Sequence, residues 1–241
     1  MTVPLALLLA LGLAVALGAA VQSAVGFGLA VVAAPFVVLA APSLMPGSLL
    51  VCGFFLPLWE LLHHERDVDR RLLAGAYGMR LLLTPVGAAL VVWAGTREIA
   101  LLVGVMILLV VALSLTPLTV RASVPNALGA GAITGVAGTA ASIGGPFFAM
   151  VLQHERPERI RSTLAAFFVL GSLTSLAALA IAGELDRTQV TAGLVWAPFL
   201  ALGVWLGRPL RHLVSRERMR GAVLAFCTVA SVVVIVRALV G

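Results

Sequence analysis

The sequence predicts an all-α polytopic membrane protein, built as two inverted repeats. Each repeat would hold one broken or re-entrant helix element and three transmembrane helices. Three observations lead there. Of 241 residues, 61% are hydrophobic and 11% charged, against roughly 45–50% apolar and about 25% charged in soluble domains. The apolar runs are far longer than the strands of a membrane barrel. Two of those runs are interrupted by glycines and small polar residues, at Gln22 to Pro35 (QSAVGFGLAVVAAP) and at Gly138 to Pro146 (GTAASIGGP). A helix broken at bilayer depth frees backbone N–H and C=O groups that lipid cannot satisfy, so protein or a water-filled cavity must surround it. Paired breaks in corresponding positions of two halves point to a transporter's binding site.

In chain order, residues 3–22 are apolar and near spanning length. With no basic residue before Arg66 there is no positive n-region of a cleaved signal, so residues 1–21 are expected to be mature structure. After the break, Leu29–Ala41 is too short to span comfortably. Residues 47–62 form a helix that Pro57 can kink, followed by the charged loop 63–71. Spans are expected at 72–94 and 98–119, around the turn Gly95–Arg97. The first repeat covers 1–120, a polar connector with Pro125 covers 121–126, and the second repeat covers 127–241. There the pattern restarts: a small-residue run 127–141, the IGGP break, a basic loop 153–161, spans at 162–182 and 189–207, an Arg-rich loop 208–220 and a last span 221–239.

The net charge of +6 is carried by Arg alone, and the chain has no Lys. In a membrane protein this records orientation. If each broken segment is a hairpin, 12 Arg fall on the side of loops 63–71, 121–126, 153–161 and 208–220 and 3 on the other, with Arg80 inside a span. If each broken segment crosses once, the split is 6 against 9. The positive-inside rule selects the first arrangement, with Arg-rich loops cytoplasmic and both termini outside. The Arg run at 208–220 then faces anionic lipid headgroups, and nucleic acid is not an expected partner. Trp59, Trp93, Trp196 and Trp205 read as interfacial anchors. Cys52 and Cys227 read as small packing residues.

The two broken stretches, QSAVGFGLAVVAAP and GTAASIGGPFFAMVLQHERPERIRSTLAAFF, resemble the paired signatures of the sulfite exporter TauE/SafE family. The resemblance covers essentially the whole chain. It departs from the common pattern at GGPF, where many relatives carry a second proline, and at GFG, where others have a glycine triplet. It implies a secondary transporter in the inner membrane that moves a small, mostly sulfur-containing anion such as sulfite or a sulfonate. It also implies a role for Arg161, which with Ser162 and Thr163 opens the helix after the second break.

The candidate substrate-binding residues are Gln22, Ser23, Gly26, Phe27, Gly28, Arg80, Thr139, Ser142, Gly144, Gly145, Pro146 and Arg161. Glycines allow close approach of backbone to a ligand, and a half-helix starting after each break aims free N–H groups at an anion. Close helix packing through small residues is the competing reading. Gln22, Ser23, Thr139 and Ser142 can donate to an oxyanion or cap the broken helix. Arg80 can hold an anion through its planar fork or snorkel to the interface, with Tyr77 one turn before it. Glu60 and His63, with His64, form a weaker proton-coupling candidate or a solvated helix end. No metal-ligand spacing, cofactor motif or nucleophile–base set lies in the spans, so no cofactor is expected and an enzyme is not. The expected partners are a small anion and the bilayer, with a homodimer left open. An anion channel and a cation or metal permease are the alternative functions.

Overall fold

A computed structural model of the chain describes residues 3–25, 28–63, 67–116, 119–213 and 216–240, side chains at 24–25 and 208–220 excepted. The described residues form helices without strands. The first half holds α1 (Leu5–Val25), α2 (Leu29–Ala40), a 3-10 turn (Pro42–Leu44), α3 (Gly47–His63), α4 (Arg70–Trp93) and α5 (Thr96–Leu115). The second holds α6 (Val124–Ala140), α7 (Gly145–Val151), α8 (Pro157–Ala182), α9 (Arg187–Val195), α10 (Ala197–Leu213) and α11 (Arg216–Val240).

Six stretches are long and apolar enough to cross a membrane: Leu5–Ser23, Arg70–Trp93, Thr96–Leu115, Pro157–Ala182, Arg187–Gly207 and Gly221–Val240. The protein is therefore a multi-pass membrane protein. Gly47–His63, expected as a span, is a shorter apolar helix of 17 residues, about 25 Å long against a hydrocarbon core of about 30 Å.

Several boundaries differ from the sequence reading, three of them because of a cap or a first-turn proline. The connector 121–126 is half helix: α6 starts at Val124, with the Ser123 hydroxyl accepting from the Asn126 N–H at 3.4 Å and Pro125 in the first turn. Proline there lacks only an N–H that would have no partner. Asp69 caps α4 by accepting from the Arg71 and Leu72 N–H groups at 3.1 and 2.9 Å, which draws Arg70 and Arg71 into the helix. Pro157 starts α8 inside the basic stretch, so Arg159 and Arg161 are helical. The stretch 208–220 is mostly the ends of α10 and α11, not a long loop. Residues 189–207 are divided at Trp196. That tryptophan is fully buried, not interfacial, and its indole N–H donates to the Leu8 carbonyl at 2.9 Å. A buried indole needs such an acceptor, and the bond pins α1 to the α9–α10 junction.

Glycines set the closest helix pairs. α4 lies along α6, with Gly131 against the Ala76 carbonyl and Gly87 against Val136, so the two run parallel. α10 lies along α1 in the same manner, with Gly203 against Ala16 and Gly207 against Ala20. α2 folds back on α1: the Leu29 backbone meets Gly18, while Phe36 and Leu39 line one groove with Leu7 and Leu11. α8 packs between α3 and α4, and α5 packs on α11. Such contacts between small residues replace the hydrophobic drive that helices lack in lipid.

Candidate functional site

The break after α1 depends on one glycine. Gly28 has φ +129, a conformation L side chains rarely adopt, and a Cβ there would lie 2.9 Å from Val21. This turn brings the Leu29 N–H back to the Gln22 side-chain oxygen at 3.2 Å. Gln22 thus caps α2. The helix's own bonding begins with the Val32 N–H to the Gly28 carbonyl, so the Ala30 and Val31 N–H groups have no partner within the helix.

The break after α6 uses Ser142 in the left-handed region, φ +61. Its hydroxyl donates to the Pro46 carbonyl at 3.0 Å, which ties this break to the turn between α2 and α3. Gly144 follows, where a Cβ would come within 3.0 Å of Thr134. Pro146 opens α7.

The two breaks meet at one cavity of about 50 Å³. Gln22, Gly28, Leu29, Ala30 and Val31 line it from the first break, and Ser142 through Pro146 from the second. A water needs roughly 10–15 Å³ by this measure, so the space suits a few waters or one compact ion. Larger cavities lie between α3 and α10 (about 350 Å³) and between α1, α2 and α11 (about 650 Å³). Their linings are almost wholly apolar, as expected of grooves facing lipid, so size does not select the site.

Arg80 supplies the cavity's only charge among the described residues. It lies near the middle of α4 and is 3% exposed. Its guanidinium rests on α8, against Gly171, with its carbon 4.9 Å from the centre of the Phe167 ring. Gly138 borders it from α6, where a Cβ would lie 3.4 Å from one terminal nitrogen. Among the described residues no ion pair reaches Arg80, and its Nε is buried with no hydrogen-bond partner. An unpaired buried charge is costly, and the cation–π contact offsets only part of that.

Ser172, beside Gly171, also lines the cavity and is buried. Its hydroxyl makes no hydrogen bond within the described residues. Gly53 of α3 leaves it room, since a Cβ at that position would approach the Ser172 oxygen to 3.2 Å.

Of the residues chosen from sequence, Gln22, Gly28, Arg80, Ser142, Gly144, Gly145 and Pro146 line this cavity. Gly26, Phe27 and His64 lie outside the described residues. Ser23 turns its hydroxyl to the Ala20 carbonyl at 3.1 Å and packs on Gly207 of α10. Thr139 bonds Ser175 at 2.9 Å. Arg161 is half-buried near the start of α8, away from the cavity lining. There Arg159 pairs with Asp67 at 3.2 Å, and Thr163 accepts from the Asp69 N–H at 3.0 Å, tying the 67–69 loop to α8. Glu60 and His63 sit near the far end of α3. His63 is exposed, stacks on Trp59 at 3.7 Å and donates through Nδ1 to the Trp59 carbonyl. Among the described residues no group of three or more His, Cys, Asp or Glu side chains could hold a metal.

Sequence reasoning missed Gly53, Phe167, Phe168, Gly171 and Ser172. The one available signal was the Gly171–Ser172 pair, a small polar interruption in an otherwise apolar stretch of α8.

The family model described as Sulfite exporter TauE/SafE matches residues 10–234. The chain belongs to the TauE/SafE family. This is a family of membrane transporters, and the match takes in both breaks, Arg80 and the α8 shelf beneath it. Comparisons with curated proteins and with solved structures gave no match.

Proposed function

We propose that this TauE/SafE protein is a secondary transporter of the inner membrane. It would move a small anion, sulfur-containing as the family description suggests, by alternating access around the cavity between the two breaks. The observation that carries this reading is Arg80, a buried cation with an unpaired Nε on a cavity whose described lining has no other charge. An anion supplies the missing counter-charge, and the first-turn N–H groups of α2 add dipoles of the right sign. A buried cation repels a cationic cargo, which weighs against a metal permease.

Inverted repeats fit the packing. Exchanging the halves pairs α1 with α6, α3 with α8, α4 with α9–α10, and α5 with α11. That exchange turns the α4–α6 contact into the α1–α10 contact and leaves α3–α8 and α5–α11 as themselves. α10 and α1 run parallel, as do α4 and α6. The chain just after α3 meets the start of α8, Asp67 with Arg159 and Asp69 with Thr163, while Gly53 meets Ser172, so α3 runs against α8. These directions suit halves inserted in opposite senses, with Arg-rich turns cytoplasmic. Cysteines introduced as Val3→Cys and Arg121→Cys should then label from opposite sides of sealed vesicles, because three spans separate them; labelling from one side, as four crossings would give, would contradict the inverted arrangement.

Reconstituted protein tests the activity. Sulfite uptake into proteoliposomes should saturate and accumulate against a gradient, and Arg80→Gln should abolish it. Flux that never exceeds equilibration would favour a channel, and undiminished flux in Arg80→Gln would remove the reading.

A further inference from the structure

The charge balance of the cavity narrows the cargo. This deepens the anion-transport reading and rests on it. Of the residues lining the cavity, Arg80 alone can ionise. The surrounding helices add no second charge at that level. α1, α2, α6 and α7 contain no titratable side chain in any of their described positions. On α8, the residues facing Arg80 are Phe167, Gly171 and Ser172, and Glu158, Arg159 and Arg161 lie nearer its start, off the cavity lining. On α4 the nearest titratable group is Tyr77, half-buried and off the cavity lining. On α3, Cys52 directs its sulfur to the Gly193 carbonyl, and Glu60 and His63 lie beyond Pro57 toward the far end.

We propose that the site binds and carries a monoanion: hydrogen sulfite or a small sulfonate rather than the sulfite or sulfate dianion. One guanidinium and one negative charge form a neutral buried pair. A dianion leaves a net negative charge among Leu29, Val31, Leu49, Ile143 and Phe168, where no described cation can answer it. Ser172 suits this cargo. Its hydroxyl can donate to an oxyanion oxygen, or accept from the S–OH tautomer of hydrogen sulfite. The proton then travels on the cargo. Sulfite takes it from water on the loading side and returns it to water on release, and no protein carboxylate has to shuttle it.

Equilibrium binding to the purified wild-type protein tests this. Methanesulfonate and sulfate match in heavy-atom number and tetrahedral shape but differ by one charge. Methanesulfonate should bind at least about tenfold more tightly, with an affinity that stays level between about pH 6 and 8. Apparent affinity for total sulfite should fall about tenfold per pH unit once the ligand has lost its proton. Equal or tighter sulfate binding, or a sulfite affinity that holds or rises with pH, would overturn the monoanion assignment while leaving anion transport intact. No binding of any of these anions, in protein whose unfolding transition shows it intact, would overturn both.

Discussion

Along the α4–α6 seam, Gly131 sits on the Ala76 carbonyl, and a Cβ at Gly135 would lie 2.8 Å from the Arg80 carbonyl. Along the α1–α10 seam, Gly203 sits on the Ala16 carbonyl, and a Cβ at Gly207 would lie 2.9 Å from the Ala20 carbonyl. Both seams join parallel helices through glycine over backbone. They differ in what they present. α4 sends Arg80 from the seam across to α8 and into the cavity. The α1–α10 seam offers Phe199 against Gly12, and Ser23 bonded back to its own helix. The comparison teaches that the glycine packing recurs in both seams and the charge does not. Packing of this kind can recur at little cost, whereas each unpaired buried cation adds its own desolvation cost.

Substitutions can break that contrast, and their expected effects can be ranked. Arg80→Gln should weaken anion binding by at least about 100-fold, roughly 3 kcal/mol, because a charge-assisted contact and the buried counter-charge go together. Direct titration would read it, and Arg80→Lys should recover part of the loss, since charge returns without the planar fork. Next, Gly131→Val and Gly203→Val should each destabilise the protein by on the order of 1–3 kcal/mol, because both branched side chains would meet a carbonyl. Thermal unfolding in detergent would show whether the seams are equivalent; a loss at only one would break the comparison. Ser172→Ala should lower anion affinity about tenfold with the unfolding temperature nearly unchanged, since that hydroxyl bonds no described residue. The smallest effect is expected from Phe167→Leu. It removes the aromatic face 4.9 Å from the Arg80 guanidinium carbon and should cost a few-fold in affinity, about 0.5–1 kcal/mol.

Much of the frame was legible because lipid enforces it. A glycine break in an apolar run and a charge inside a span are both expensive, so each announces a reason for being there. That logic led to Gly28, Ser142, Gly144 and Arg80, which lie together on the cavity. Ser23 and Thr139 lie off that lining, because a hydroxyl beside a break can turn back to its own helix or to a neighbouring one. It was silent at Gly171 and Phe167, whose roles exist only once α8 is laid beside α4. Trp196 shows the same limit: a tryptophan near a span end and one buried at a helix junction look alike in sequence. The helix starts at Val124 and Pro157 were set by a serine cap and by proline inside stretches that polarity alone marks as loops.

The measurement that bears most directly on an anion held between the two breaks by Arg80 is sulfite binding by isothermal titration. It should compare the wild-type protein with Arg80→Gln, using Arg97→Gln on the exposed start of α5 as a charge-matched control. Wild type and Arg97→Gln should bind alike, and folded Arg80→Gln should bind at least about 100-fold more weakly. Equal affinity in all three proteins would contradict it.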